Sequence, residues 1–383
     1  MGRRMKKVFK LYNQVKNYEW GSPDLLPQFL DIENGGGIPY AEMWMGTNGG
    51  APSKICMSDD KAQDLLNLSG DIPFLLKIIA VEKPLSIQAH PNKEQAAKGF
   101  QREEELKILL KSPSRNYKDP NHKPEILCAL SPFTLMAGFR KPDEIYRSLE
   151  EFVKVIPQLK EVFAPMFRAL KTDMLGVFFR ILFYFSKLEL EYITKLVNEV
   201  SVHDTGCVSL QQWQLIKKFA VLYPNEIAIL SPLYLNYFTI QPGQAVFIPA
   251  GILHSYVSGF GVELMANSDN VLRCGLTPKY TDIPELTSIL KFVSFMPPVI
   301  TPDSSSWFCY QTPCDDFLLA LMRVQGGEKL FPEKGPAVCI VTEGELLTDG
   351  LKFKKGESFF IPKDAPSVSF TGNFSLYAAV SPH

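Results

Sequence analysis

A seven-residue pattern that occurs twice constrains the fold of this chain more than any other feature. Residues 243–249 read Gly-Gln-Ala-Val-Phe-Ile-Pro, and residues 356–362 read Gly-Glu-Ser-Phe-Phe-Ile-Pro. In each copy a glycine turn precedes a short apolar strand, and a proline then ends the pairing of that strand because proline has no N–H to donate. The repeat therefore predicts a mainly β fold with two related barrels or sandwiches.

A helical stretch interrupts this β pattern. Between residues 143 and 222, apolar side chains recur at helical spacing, and prolines divide the stretch into several helices. Short segments rich in glycine, proline and asparagine, which are typical of strands and turns, occupy the chain on both sides. We therefore expect a first β domain made of residues 1–141 and 236–298, a helical insertion at 142–235, and a second β domain at 299–383.

Two elements of the first β domain can be predicted individually. Residues 74–81 are almost entirely apolar, which favours a buried strand. Residues 93–111 are rich in glutamate, glutamine, alanine, lysine and leucine, and Pro91-Asn92 precedes them as a start signal. They predict a helix.

Charge and composition exclude several classes of function. The 383 residues include 40 Lys and Arg and 41 Asp and Glu, a net charge of −1. This balance argues against a nucleic-acid partner, which would need a basic surface. The apolar runs are too short or too charged to span a bilayer, and the seven scattered cysteines are typical of a reducing compartment. We therefore expect a cytoplasmic protein with no membrane partner.

Three short segments carry the residue types of a metal site. Their candidate side chains are Ser86, Gln88 and His90 in the first, Lys123 and Glu125 in the second, and His254, after a Pro-Ala-Gly turn, in the third. Residues two apart on a strand share a face, so the side chains of each segment would point together. Two imidazoles, one carboxylate and one amide oxygen suit a divalent cation such as Zn²⁺. Each segment alone would fit an ordinary core or surface position, and it is the combination that indicates a metal site.

Charged residues also occur where an apolar strand would not need them. Lys77 interrupts an apolar run, and Glu263, Asp269 and Arg273 would share one face of an unbroken strand, with Lys279 following. A buried lysine without a partner is costly. Lys77 could therefore have a structural role, in which it extends its ammonium to solvent or pairs with a carboxylate. Alternatively, it faces, together with Arg273 and Lys279, a pocket for an anionic substrate such as a phosphorylated one.

Six segments together resemble the signature segments of the type I mannose-6-phosphate isomerases, a family within the cupins. They are residues 18–21, 41–46, 88–91, 121–125, 249–254 and 270–279. The matches keep their order from about residue 12 to residue 295. The resemblance implies two cupin-like jelly-roll β-barrels together with an α-helical domain.

The resemblance also implies roles for individual residues. One Zn²⁺ per chain would be bound by Gln88, His90, Glu125 and His254. Arg273 would be catalytic, and the candidates for proton transfer are Lys123, His122 and Asp269. The implied substrate contacts are Ser86, Lys77, Glu263 and Lys279.

The implied reaction is the interconversion of mannose 6-phosphate and fructose 6-phosphate by a monomeric enzyme. A proton would move between C2 and C1 through an enediol, whose negative charge Zn²⁺ and Arg273 would stabilise. Two alternatives remain open, an iron-dependent cupin oxygenase and a non-catalytic module that binds sugar phosphates. Gln88, at a position where such oxygenases commonly have histidine, argues against the first.

Overall fold

The computed structural model describes residues 7–56, 62–201 and 208–382 of the chain. Within these ranges the protein is mainly β, with two antiparallel sheets and a group of helices between residues 142 and 234. Cys207 lies outside the described residues, and the other six cysteines are unpaired. The expected fold class, a mainly β protein with inserted helices, is confirmed.

Twenty strands occur in the described residues. In chain order they are β1 (Phe9–Tyr12), β2 (Gln14–Lys16), β3 (Glu42–Gly46), β4 (Lys54–Cys56), β5 (Ala62–Asp64), β6 (Phe74–Val81), β7 (Ile87–Ala89), β8 (Glu125–Ala129), β9 (Phe133–Phe139), β10 (Leu235–Ile240), β11 (Ala245–Ile248), β12 (His254–Ala266), β13 (Leu272–Gly275), β14 (Val299–Ile300), β15 (Trp307–Tyr310), β16 (Leu318–Leu330), β17 (Ala337–Thr348), β18 (Leu351–Lys354), β19 (Ser358–Ile361) and β20 (Ser369–Val380). All eight residues of β6 are buried, which confirms the strand predicted from its apolar sequence.

Eleven of these strands form one sheet, which we call the site sheet. One side has the order β14-β11-β8-β12-β6-β3-β2, and β7, β9, β10 and β13 make up the other side. Strand β12 belongs to both sides, since its first residues pair with β7 and β9 and its later residues pair with β6 and β8. The change of partner occurs at Gly259, where φ is +138° and a side chain would overlap Phe133. Glycine is therefore needed at this bend.

The other nine strands form a second sheet, in the order β15-β16-β20-β17-β19-β1-β4-β5 with β18 beside β17. The two copies of the sequence repeat contribute β11 to the site sheet and β19 to the second sheet. Gly243 and Gly356 precede these strands with the same φ of +85°, and every residue of both strands is buried. The repeat therefore corresponds to equivalent strands in the two sheets.

The α-helices of the described residues are α1 (Leu25–Leu30), α2 (Leu66–Ser69), α3 (Lys93–Glu105), α4 (Pro142–Val155), α5 (Ala164–Lys171), α6 (Leu175–Ile181), α7 (Lys187–Glu199), α8 (Leu210–Leu222), α9 (Ser231–Tyr234) and α10 (Ile283–Ile289), and short 3₁₀ helices occur at Pro157–Leu159 and Ile227–Leu230. Helices α3, α7 and α8 each begin with a capping box, in which two side chains satisfy backbone N–H groups of the first turn. None of these helices combines the length and the apolar character that a bilayer span requires.

Helix α3 is shorter than the sequence predicts. The propensity of residues 93–111 is helical, but the helix ends at Glu105 and Lys107 adopts a left-handed φ of +56°. The guanidinium of Arg115 lies 3.0 Å from the carboxylate of the helical residue Glu103, with both side chains buried. This tertiary ion pair brings the following chain back against the helix, and it overrides the local propensity.

The prediction that Glu263, Asp269 and Arg273 share one strand is wrong. Glu263 lies on β12 and Arg273 on β13, while Asp269 is exposed in the loop that joins them. This loop leaves the ladder because it forms hydrogen bonds with residues 118–121 instead of with a neighbouring strand.

Side chains along β8 alternate between two cores. Leu127 and Ala129 pack in the interior of the site sheet, whereas Ile126 and Cys128 pack between the two sheets. Glu125 has the same parity as Leu127, so its carboxylate points into the interior of the site sheet.

The core of the helices continues onto the outer face of the strands that carry the candidate site. Trp213 of α8 is fully buried and stacks on Phe152 of α4, with 5.0 Å between ring centroids. The same apolar cluster includes Ile87 of β7, Met136 of β9 and Leu272 of β13. The helices therefore support these strands from behind.

Substitution of Trp213 tests this packing. We expect Trp213→Ala to lower the free energy of unfolding by about 3–5 kcal/mol, because it removes a buried ring and leaves a cavity. Trp213→Phe should cost much less, since the indole N–H has no hydrogen-bond partner among the described residues. Denaturant unfolding followed by circular dichroism measures both losses, and equal losses would contradict this packing.

Candidate metal centre

Three side chains with metal-binding atoms meet inside the site sheet. His90 follows β7, Glu125 begins β8 and His254 begins β12. Their candidate ligand atoms all lie within 4.8 Å of one another, and each residue is at most 2% exposed. Within the described ranges, no other three His, Cys, Asp or Glu side chains form so compact a group.

The backbone around His254 fixes its position relative to His90. The turn predicted before His254 is present, and Gly251 within it has a φ of +78°. The Gly251 N–H donates to the carbonyl of His90 at 2.9 Å, and a side chain at Gly251 would lie 2.8 Å from the carbonyl of Ile289. A residue with a side chain would therefore disturb the contact between the two histidine segments.

Both imidazoles are held in the same tautomer. His90 Nδ1 lies 2.7 Å from the carbonyl of Asn270, and His254 Nδ1 lies 3.0 Å from the carbonyl of Ile252. A carbonyl oxygen can only accept, so each Nδ1 carries a hydrogen, and the neutral form of each ring has its lone pair on Nε2. Both Nε2 atoms face the carboxylate of Glu125. The Nε2 atom of His90 lies 3.3 Å from Oε1, and the Nε2 atom of His254 lies 3.3 Å from Oε2.

A cation would satisfy atoms that otherwise have no partner. The Nε2 atoms of His90 and His254 and the Oε2 atom of Glu125 are buried and form no hydrogen bond with the described residues. Burial lowers the pKa of His90 to about 4, which keeps this ring neutral near pH 7. Burial alone would raise the pKa of Glu125, but the positive charge of Lys123 opposes this effect and helps to hold the pKa well below its ordinary value. Two imidazole nitrogen atoms and one carboxylate are a donor set that fits Zn²⁺.

Gln88 occupies the strand position opposite His254. It lies on β7, where it pairs with His254 of β12 on one side and with Arg273 of β13 on the other. Residues directly opposite in an antiparallel pair have their side chains on the same face. Gln88 therefore projects from the sheet on the same side as His254 and Arg273.

Lys123 and His122 are neighbours in the chain but have different partners. The Nζ atom of Lys123 is buried and lies 3.1 Å from Glu125 Oε1. The Nε2 atom of His122 lies 2.7 Å from Asp316, which precedes β16 of the second sheet. The structure therefore brings Lys123 to the three-residue group and pairs His122 with the second sheet.

Lys77 lies in a buried charge cluster in the same interior. Its Nζ atom is 3.0 Å from Glu263 and 3.4 Å from Glu42, and it lies 5.1 Å from the centroid of the Trp44 ring. Burial would lower the pKa of Lys77, but Glu263 and Glu42 outweigh it and hold this pKa above its ordinary value. The structure therefore shows the pairing with carboxylates that one interpretation of Lys77 expects.

Sequence reasoning missed two buried polar residues of this interior. Glu42 bonds both Lys77 and the indole N–H of Trp44, and the hydroxyl of Tyr256 is buried without a partner among the described residues. Burial raises the pKa of Tyr256 well above its ordinary value, and Glu263 raises it further. Tyr256 lies two residues after His254 on one strand, so the alternation rule could have found it.

The remaining candidate residues lie towards solvent. Arg273 is half-buried, and its guanidinium forms no ion pair or hydrogen bond with the described residues. Lys279 is exposed, and its pKa is lowered by burial of part of the side chain and by Arg273, so the two cations lie near each other. Asp269 is exposed, and Ser86 is half-buried directly before β7. An arginine without an anion next to a lysine is suited to bind an anionic ligand.

Comparisons with known proteins agree with this geometry. The family model for "Phosphomannose isomerase type I, catalytic domain" matches residues 8–142. Mannose-6-phosphate isomerase of Escherichia coli K12 is 33% identical over 396 aligned positions, which span 96% of this chain and 98% of that protein. The human mannose-6-phosphate isomerase is 30% identical, spanning 89% of this chain and 88% of that protein.

Solved structures give the same result. A zinc-bound crystal structure of mannose 6-phosphate isomerase superposes with a TM-score of 0.88 at 33% identity, covering 98% of this chain and 99% of that one. A point variant of phosphomannose isomerase from Salmonella typhimurium superposes with a TM-score of 0.89 at 32% identity, covering 98% and 100%. This chain belongs to the type I phosphomannose isomerase family.

Proposed function

We propose that this chain is a zinc-dependent isomerase that interconverts mannose 6-phosphate and fructose 6-phosphate. The observation that carries the proposal is the pair of buried imidazoles whose Nε2 atoms face the carboxylate of Glu125, because one cation would satisfy all three groups. Membership of the family and the zinc-bound relative support zinc as the cation and this isomerisation as the reaction.

We propose that His90, Glu125, His254 and Gln88 hold the zinc ion. The first three supply two nitrogen atoms and one carboxylate, and the amide oxygen of Gln88 would add a fourth ligand from the strand position opposite His254. Bound zinc would supply positive charge for the oxygen atoms at C1 and C2 of the open-chain sugar.

Proton transfer between C2 and C1 requires a base beside the metal site. Of the three candidates, Lys123 is favoured because its Nζ atom is buried beside the metal residues, and it would act as the base in its neutral form. His122 is paired with Asp316, and Asp269 is exposed. The unpaired guanidinium of Arg273 would stabilise the negative charge of the enediol.

Substrate contacts are assigned from position and charge. Lys279 and Arg273 would bind the phosphate, which supplies binding energy away from the reacting carbons. Lys77 and Glu263 are buried beside the metal residues and would contact sugar hydroxyls. Ser86 would contact the substrate at the edge of β7.

Finer features of the architecture are part of the same proposal. The site sheet, in which β12 is shared by two sides, would be a cupin-like jelly-roll barrel, and the second sheet would be a degenerate one. The first β domain would comprise residues 1–141 and 236–298, the helical domain residues 142–235, and the second β domain residues 299–383. Strand β1 of the first β domain nevertheless hydrogen-bonds to β19 of the second. We expect the enzyme to act as a monomer in the cytoplasm.

Two substitutions separate metal binding from catalysis. His254→Ala should lose both zinc and activity, because it removes a ligand. Arg273→Ala should keep one zinc per chain and lose turnover by roughly 10²–10³-fold, the usual effect of removing a group that stabilises developing charge. A coupled assay with mannose 6-phosphate, combined with elemental analysis of the metal, measures both.

Chelation is the matching control on the wild-type chain. Activity should disappear with the zinc and return when zinc is added back. An unchanged rate in the metal-free protein would contradict the proposed function, and a wild-type rate in Arg273→Ala would contradict the catalytic role of Arg273.

Deuterium exchange distinguishes an isomerase from a module that only binds sugar phosphates. In D₂O the active protein should place solvent deuterium at C2 of mannose 6-phosphate or C1 of fructose 6-phosphate, because the base exchanges its proton with solvent. Mass spectrometry detects the label, and Arg273→Ala is the matched control. Binding without any label would support the non-catalytic module.

Lys279 tests the assignment of the phosphate contact. Lys279→Ala should lower kcat/KM by roughly 10–100-fold, since a hydrogen bond to a charged group contributes about 1.5–3 kcal/mol. Most of the loss should fall on KM, because the phosphate is remote from C1 and C2. Lys363→Ala, which changes an exposed lysine beyond β19, is the control, and equal kinetics for the two variants would remove Lys279 from the site.

A further inference from the structure

Asn270 is fully buried and uses both ends of its carboxamide. Its Oδ1 atom accepts from the N–H groups of Lys118 at 2.6 Å and Asp119 at 3.3 Å. Its Nδ2 atom donates to the carbonyls of Asp119 and Asn121, both at 2.8 Å, and lies 3.4 Å from Asp119 Oδ1. The side chain is 0% exposed, so water cannot replace these bonds. It therefore fixes residues 118–121, the segment that leads into β8.

The backbone of Asn270 contacts a second part of the site. Its carbonyl accepts from Nδ1 of His90 at 2.7 Å, the bond that fixes the tautomer of this ring. Three residues later the chain reaches Arg273, which pairs with Gln88 across β7 and β13. One residue therefore connects the segments of His90, of Glu125 and of Arg273.

We propose that Asn270 is a positioning residue for the zinc site. It fixes the position of the segment before Glu125 relative to the ring of His90. Glu125 Oε1 and His90 Nε2 therefore lie 3.3 Å apart, close enough to bind the same zinc ion. The inference rests on the proposed zinc site and adds to it a residue that does not touch the metal. Hydrogen bonds behind metal ligands commonly change metal affinity by roughly 10–100-fold.

The chemistry of the carboxamide explains why asparagine is needed. In Asn270→Asp, a carboxylate oxygen would replace the donor and face the carbonyls of Asp119 and Asn121, which can only accept. In Asn270→Ser, the shorter side chain would leave room for water but could not span both carbonyls. Each variant should therefore release residues 118–121 without removing a metal ligand.

Asn34→Asp is the matched control. The carboxamide of Asn34 also bonds backbone groups at both ends, because it donates to the carbonyls of Pro23 at 2.8 Å and Ile38 at 2.7 Å and accepts from the N–H of Ile38 at 3.2 Å. None of these hydrogen bonds reaches residues 118–121, β13 or a proposed metal ligand. It should lower the melting temperature without changing the zinc site.

Zinc affinity and the geometry of the site are the readouts. Competition with a chromophoric chelator should give a zinc Kd that is roughly 10–100-fold higher in Asn270→Asp and Asn270→Ser, and unchanged in Asn34→Asp. The visible spectrum of the cobalt-substituted protein should change in the two Asn270 variants alone. Wild-type zinc affinity and an unchanged cobalt spectrum in both variants would overturn the proposal.

Hydrogen exchange of the zinc-free wild-type protein decides the proposal even where the variants do not fold. Because Asn270 holds residues 118–121 without help from the metal, the amide hydrogens of Lys118 and Asp119 should exchange as slowly as those of β8. Fast exchange at these amides would overturn the role of Asn270. A wild-type chain that binds no zinc would instead contradict the proposed zinc site, and the exchange rates would still decide whether Asn270 holds this segment.

Discussion

The carboxylate of Glu125 lies in the interior of the site sheet between two imidazoles, and the geometry of the site follows from this contact. One oxygen is 3.1 Å from the ammonium of Lys123, which helps to keep the carboxylate ionised despite its burial. Both imidazoles direct lone pairs towards it, because their Nδ1 hydrogens are bonded to backbone carbonyls. Carboxylate oxygens and imidazole lone pairs repel at 3.3 Å, and a cation bound between them would replace this repulsion with attraction.

The fold brings these groups together from segments that are far apart in sequence. Strand β12 passes from one side of the site sheet to the other, which places His254 opposite β7 and sets its later residues beside β8. Helices pack behind β7 and β13, and the second sheet packs behind β8 through Ile126 and Cys128. Asn270 then joins the segments of His90 and Glu125 directly. The ligand geometry therefore depends on both sheets and on the helices.

Sequence predicted the parts of this site that local patterns encode. The three segments with His90, Glu125 and His254 could be recognised because their residue types suit a metal and their spacing suits strands. The partner of Lys77 could not be predicted, since Glu42 reaches it only when β3 pairs with β6. The contact of His122 with the second sheet is likewise a product of tertiary packing. Local propensity was also misleading in α3, where a distant ion pair ends the helix early.

Anomalous diffraction at the zinc absorption edge, from crystals of the zinc-loaded chain, tests the central claim most directly. We predict one strong peak per chain, about 2.0–2.2 Å from Nε2 of His90, from Nε2 of His254 and from a carboxylate oxygen of Glu125. No peak between these three side chains, or a peak bound by other residues, would contradict the account.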